Sequence, residues 1–378
     1  MRHIDEFTIH SFRGLRDIKL EGLGQINLLV GENNSGKTSI LEALSLFCDP
    51  LNWRKWSGTP STREVGNSAS LSVSERVTWL FPQSENYDDD SSSSAAPKIW
   101  LSAFGGFPVE EVVAHYEQFS EMVQARPLIR ETERELFYED RYREVESVKV
   151  EVSTLLSKAL PSLFDTSREL HETFMFPASR YSLPPGKSGV TTLPAQIINP
   201  SSHRLSSTPS QLWTDVINAE AKEEAIQLLR FFDNSIQDVD IIIGFAGRPT
   251  ISVKHKELKR APLSIFGDGL RRIFTLAAAI PRVRGGLLLV DELELAIHTK
   301  ALEKSFAWLV KACVQNNIQL FATTHSLEAV DALLQACDET VDLATYRLLL
   351  NDGQISVTRF DKAYLTRLRQ DLGVEIRW

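Results

Sequence analysis

The sequence predicts an α/β fold, a mixed but largely parallel sheet covered by helices, with a helical arm inserted in its middle. Three observations carry this. Residues 26–47 pass from an apolar stretch through a glycine loop into a stretch of helical periodicity. Residues 236–378 alternate strand-like and helix-like stretches, the signature of βα units. Between these two parts the composition changes character, so the chain divides into 1–100, an inserted 101–235, and 236–378.

Each element has its own reason. Ile4–Ile9 alternates apolar and polar residues as a half-buried strand does, and turns are marked at Gly14 and at Gly22–Gly24. Ile26–Val30 is apolar but for Asn27, which suits a parallel strand covered on both faces. From Thr38 to Phe47, Ile40, Leu41, Leu44 and Phe47 recur at helical spacing. The segment Asp88–Pro97 is acidic and serine-rich, the composition of a mobile loop. Pro108 to about Leu160 is dense in Glu, Arg, Val and Leu with Pro127 as the lone internal proline, which reads as two or more helices forming an arm. Pro177, Pro184, Pro185, Pro194, Pro200 and Pro209 mark a loop-rich passage, and Gln211–Phe232 a helical one. In the last part the expected order is a strand pair at Val239–Ile243 and Thr250–Val253, a helix from Gly269 to Ile280, a strand at Leu287–Val290, a helix through Phe306–Cys313, a strand at Ile318–Ala322, and a strand-rich end.

The composition excludes several classes. With 43% apolar and 24% charged residues the 378-residue chain is an ordinary globular protein, neither collagen-like nor wholly disordered. No apolar run approaches the 18 or so residues needed to cross a bilayer, and the N-terminus lacks the apolar core of a signal peptide, so a cytoplasmic protein without a membrane partner is expected. Cys48, Cys313 and Cys337 are widely spaced, which fits small buried hydrophobes better than a disulfide framework or a zinc site. A net charge of −9 argues against a uniformly basic nucleic-acid binder but leaves room for a local basic groove.

Gly31-Glu-Asn-Asn-Ser-Gly36-Lys37-Thr38 satisfies the G-x-x-x-x-G-K-[ST] phosphate-loop pattern. In such a loop the glycines let backbone N–H groups wrap a phosphate, the lysine reaches the terminal phosphates, and the hydroxyl ligates Mg²⁺. Leu287-Leu-Leu-Val290-Asp291-Glu292 ends an apolar strand in carboxylates. Asp291 is placed to sit beside the metal, and Glu292 to polarise an attacking water. By itself this second pattern is weak, because buried strands often end in acidic helix caps; the phosphate loop decides in favour of the metal. Ile318–Ser326 is a third strand, ending in Thr324, His325 and Ser326, where an imidazole can hydrogen-bond a γ-phosphate or the lytic water.

Together these residues resemble an ABC-type ATPase head of the RecF/SMC/OLD group. The similarity is carried by Phe7–Gly14, the phosphate loop with Ser39–Ala43, Ser264–Arg272, Asp291–Glu294 with His298, and Thr324–Ser326, and it covers roughly residues 1–48 and 250–378. The resemblance implies ATP and Mg²⁺ as cofactors. It assigns Gly31, Asn33, Asn34, Ser35, Gly36, Lys37, Thr38 and Ser39 to the nucleotide, along with Arg13, and Gln83 to the metal-sensing position beside Thr38 and Asp291. Ser264, Gly267 and Gly269 stand where relatives carry the signature motif that caps ATP bound by a second subunit; the wording departs from LSGGQ. Glu292 and His325 stand as the base and the switch histidine.

The resemblance further implies a homodimer or higher oligomer closed around ATP. OLD-type relatives continue into a metal-binding Toprim nuclease, whereas this sequence is expected to lack one. It thus resembles the ATPase subunits of bacterial anti-phage systems, which act with a separately encoded effector, commonly a nuclease. The alternative is a RecF/SMC-like clamp that closes on DNA in repair or maintenance. A small-molecule phosphotransferase would leave the signature and switch residues without a role.

Overall fold

A computed structural model describes residues 2–61, 71–83, 97–124, 142–157, 168–176, 192–205, 207–244, 247, 249–371 and 373–376. The strands are β1 (Glu6–Phe12), β2 (Leu15–Leu20), β3 (Ile26–Gly31), β4 (Lys98–Phe104), β5 (Val109–Gln124), β6 (Tyr142–Leu156), β7 (Glu169–Phe176), β8 (Ala195–Ile198), β9 (Ile236–Ile243), β10 (Pro249–His255), β11 (Lys259–Pro262), β12 (Leu287–Val290), β13 (Gln319–Thr324), β14 (Leu343–Asn351) and β15 (Gln354–Asp361). The helices are α1 (Lys37–Phe47), α2 (Trp53–Ser61), α3 (Val73–Thr78), α4 (Ser207–Asn218), α5 (Lys222–Phe232), α6 (Asp268–Ala279), α7 (Thr299–Gln315), α8 (Leu327–Ala336) and α9 (Lys362–Thr366).

The central layer is the six-stranded sheet β15-β14-β3-β13-β12-β8, in which only the edge strand β15 runs antiparallel to its neighbour. It is buried on both faces. Leu28, Leu288, Leu320 and Val290 point into one core, against α4 to α8. Leu29, Leu287, Leu289 and Phe321 point into the other, against α1 and the second sheet. Two-sided burial is why β3 and β12 carry apolar residues on both faces and read as near-continuous runs.

The second sheet, β2-β1-β4-β5-β6-β7, is wholly antiparallel. Its middle overturns the expected helical arm: residues 109–124 and 142–156 are two long paired strands. Glu, Arg and Leu favour helices, but Val148, Val150 and Val152 alternate with polar residues and are buried, as are Val112 and Ala114 on the paired strand. Period-two burial of β-branched residues outweighs the helix propensity of the residues between them. Residues 125–141 lie outside the described residues, as do 84–96, which include the acidic serine-rich stretch, and 177–191 of the proline-rich passage. The C-terminal order of elements follows the expectation with three additions: β11 after the strand pair, α8 between β13 and β14, and α9 after β15. No described helix is long and apolar enough to cross a membrane. All three cysteines are free and buried, and burial pushes the Cys48 thiol up to about 12.

Candidate active site

The parallel register sets the site. Val30 lies beside Thr324, and Val290 beside Ala322, so the loops after β3, β12 and β13 leave the sheet side by side at its carboxyl edge.

The loop after β3 needs its glycines. Gly31 has φ +147°, and a Cβ there would stand 2.3 Å from the Leu348 carbonyl oxygen of β14. Gly36, with φ +86°, forms the N-cap of α1, where a Cβ would meet Leu15 at 2.6 Å. The Lys37 ammonium folds back into this cradle. It donates to the carbonyls of Gly31 at 2.8 Å and Glu32 at 2.6 Å and to Ser35 Oγ at 3.2 Å. Burial pushes its pKa down to about 8, and the carboxylates of Asp291, Glu292, Glu294 and Glu32 oppose that fall. Ser35 is buried, while Asn33 and Asn34 are exposed on the rim and Ser39 is half-buried.

The structure brings the second and third motifs onto this loop. Thr38 Oγ1 donates to Asp291 Oδ2 at 3.0 Å, and Thr323 Oγ1 donates to Asp291 Oδ1 at 2.7 Å. The same Thr323 hydroxyl accepts the Glu292 N–H at 2.8 Å. Glu292 has φ +51°, a left-handed conformation uncommon for a side-chain-bearing residue. Its carboxyl pKa is raised by burial first, then by Asp291 and Glu294, against the opposing influence of His325 and Arg272. Glu294 Oε1 accepts the His325 backbone N–H at 3.0 Å, which ties the loop after β12 to the loop after β13.

Thr38 and Asp291 form a hard-oxygen pair suited to Mg²⁺: a hydroxyl and a carboxylate, adjacent on two loops, needing only phosphate and water oxygens to complete an octahedron. No group of three or more His, Cys, Asp or Glu able to hold a metal occurs among the described residues. Gln83 is not joined to this pair. Its amide donates to the carbonyls of Thr78 at 3.1 Å and Phe81 at 3.0 Å. With Arg13, Asn34, Ser39 and Trp79 it lines a cavity of about 450 Å³ alongside the phosphate loop. Arg13 Nε pairs with the buried Glu42 at 2.9 Å.

Ser264 and Gly267 are exposed and, among the described residues, share no hydrogen bond with residues 31–39. Gly267 is the N-cap of the 12-residue α6 and supplies no side-chain cap. Asp268 accepts from Arg204 at 2.6 and 3.0 Å and from Arg271 at 3.0 Å, which holds its carboxyl below the usual carboxylate range. Gly269 lets α6 approach the loop after β12: a Cβ would stand 2.8 Å from the Ala296 carbonyl oxygen.

Three residues of the site carry no role in the sequence reading. Thr323 follows the apolar stretch Ile318–Ala322 by one residue, and nothing in the sequence joins it to Asp291, because that contact depends on β13 lying beside β12. Trp79, 55% exposed, stands on the cavity wall, and an aromatic residue four before Gln83 is the available signal. Arg272 is fully buried, and only an arginine on the apolar face of a helix marks it in sequence.

Residues 3–104 match a family model described as an AAA ATPase domain. Residues 204–331 match one described as an AAA domain, putative AbiEii toxin, type IV toxin–antitoxin system. The chain is 24% identical over 353 residues to an ATP/GTP phosphatase of Helicobacter pylori, spanning 89% of each chain. It is 30% identical over 112 residues, 29% of this chain, to the uncharacterized protein MJECL11 of Methanocaldococcus jannaschii, spanning 98% of that protein. Among solved structures it is similar to an SMC head bound to the C-winged helix domain of ScpA, with TM-score 0.46 and 13% identity over 99% of this chain and all of that one. With the phosphate loop in the segment matched to one AAA domain model and the strand-end carboxylates in the segment matched to the other, the chain is an ATP hydrolase of AAA-domain type.

Proposed function

We propose that this ATPase is a nucleotide-gated switch: two copies close around ATP, and the closed pair controls a separately encoded effector, a nuclease, in anti-phage defence. The observation that carries the dimer is the one-sidedness of the site. The phosphate loop, Asp291, Glu292 and His325 converge at one sheet edge, while Ser264 and Gly267 are exposed just before α6 and at its N-cap, where Gly267 supplies no side-chain cap. The first-turn N–H groups of a helix and its dipole favour an anionic oxygen, and a second copy's γ-phosphate supplies one. The match of residues 204–331 to a putative toxin of a toxin–antitoxin system supports the defence role.

Within one site, the Lys37 ammonium exchanges its carbonyl partners for β- and γ-phosphate oxygens. Thr38 and Asp291 would hold Mg²⁺, which when bound neutralises charge on those oxygens. Glu292, half-buried and raised in pKa, accepts the proton of the attacking water. His325, next in line after β13, senses the γ-phosphate. Arg13, Trp79 and Gln83 wall the cavity that receives the rest of the nucleotide.

The test is the mass in solution of the Glu292→Gln protein by light scattering, with and without Mg-ATP. The expected result is a monomer that becomes a dimer on ATP addition, with Lys37→Ala in the same background remaining monomeric. A mass indifferent to ATP overturns the nucleotide-closed dimer.

A further inference from the structure

Arg272 sits on α6, five residues beyond its N-cap, and its side chain is wholly buried. Among the described residues the hydrogen-bond partners of its guanidinium are backbone carbonyls. Nη1 donates to the Asn199 carbonyl at 2.6 Å, and Nη2 donates to the carbonyls of Asp291 at 2.7 Å and Glu292 at 3.1 Å. Among the described residues the buried Nε has no hydrogen-bond partner. Burying a guanidinium is costly, and leaving one of its donors unmet adds to the cost, so an apolar residue of similar volume would make the better core. The arrangement is therefore poorly accounted for by stability alone.

Its consequence falls on Glu292. That residue is left-handed at φ +51°, and the two peptide groups that flank it are held from outside: its N–H by Thr323 Oγ1 at 2.8 Å and its C=O by Arg272 Nη2. With both ends pinned, the direction in which the Glu292 side chain leaves the backbone is set. Arg272 reaches one of those ends from the helix that begins at Gly267 and Gly269. The planar fork matters here, because two nitrogens must meet carbonyls on two separate segments at once, and an ammonium is one point on a flexible stem.

We infer that Arg272 is a positioning residue for hydrolysis: it clamps the backbone of Glu292 to the signature helix and so holds that carboxylate in line for the attacking water. This rests on Glu292 as the base.

The experiment measures steady-state kcat and KM for Mg-ATP in four purified full-length proteins: wild type, Arg272→Lys, Glu292→Gln and the double variant. Binding of a non-hydrolysable ATP analogue and the thermal midpoint are followed alongside. The expected result is that Arg272→Lys lowers kcat by at least about tenfold, with KM and analogue affinity within about twofold of wild type. The double variant turns over no more slowly than Glu292→Gln, because a residue that acts through Glu292 has nothing left to position. A kcat for Arg272→Lys within about twofold of wild type overturns the inference, as does a further fall from Glu292→Gln to the double variant. Wild-type turnover by Glu292→Gln refutes the base itself and the inference with it. Should Arg272→Lys not fold, Arg272→Gln, whose amide donates without a buried charge, replaces it in the same four-way comparison with the same outcomes.

Discussion

Lys37 is held by three oxygen acceptors of its own loop and yet has its pKa pushed down to about 8 from an ordinary 10.5. The folded chain thus binds fewer protons at this group than the unfolded chain between about pH 8 and 10.5, so its contribution to stability improves as pH rises through that window. Binding has the opposite sign. Triphosphate restores the charged form, and calorimetry in buffers of different ionisation enthalpy should show proton uptake on binding near pH 8 that this group no longer contributes at pH 6. Trp79 belongs to the same scale. Replacement by Ala removes the exposed aromatic wall of the cavity proposed to receive the nucleotide, and steady-state kinetics should show KM for ATP raised about five- to tenfold with kcat little changed. Sequence patterns were informative at this scale wherever chemistry demands a residue type at a fixed spacing, as at Gly31, Lys37, Asp291 and Glu292. They were silent on Thr323, whose hydroxyl matters only because β13 lies beside β12.

Among the elements, α6 has two ends with different duties. Its start is exposed and uncapped, and its body is buried around Phe274 and Arg272. Gly269 is the contact between α6 and the loop that carries Glu292. A Gly→Ala change at an ordinary helix position is stabilising by about 1 kcal/mol, but here the new Cβ would lie 2.8 Å from the Ala296 carbonyl oxygen and force the two apart. Gly269→Ala is expected to lower kcat about tenfold or more while leaving equilibrium binding of an ATP analogue to the monomer unchanged, a separation that parallel turnover and binding assays would detect. The β5–β6 pair teaches a different lesson about elements. Glu, Arg and Leu recur in it as in a helix, but the valines of both strands and their alternation with polar residues make them strands.

At the scale of the whole molecule, the central sheet divides two apolar cores and is the shared wall of both, so a nucleotide bound at its carboxyl edge as proposed would touch loops anchored in each. A non-hydrolysable analogue at 100 times its Kd should therefore stabilise the fold as one unit, by about 2.7 kcal/mol in urea unfolding, with Lys37→Ala gaining none. The expected division at residues 100 and 235 sits across this architecture rather than along it. β4 continues into β5 within one sheet, and Ile198, at the end of β8, accepts the Asp291 N–H at 3.0 Å, so parts of the middle segment help build the wall of the site.

What the sequence determined by itself is what local spacing encodes: the glycines that let backbone wrap phosphate, the apolar runs that must lie in a doubly covered sheet, and the strand-end carboxylates. These signals are local because the physical demand is local, a positive φ or a side chain of one length. Tertiary structure decided the rest. Strand order placed Thr323 on Asp291, the antiparallel sheet turned a helix-rich composition into paired strands, and α6 brought Arg272 under the Glu292 backbone. Each of these joins residues remote in sequence, and which partners meet is set by strand pairing and by packing of the core, quantities that no window of the chain contains.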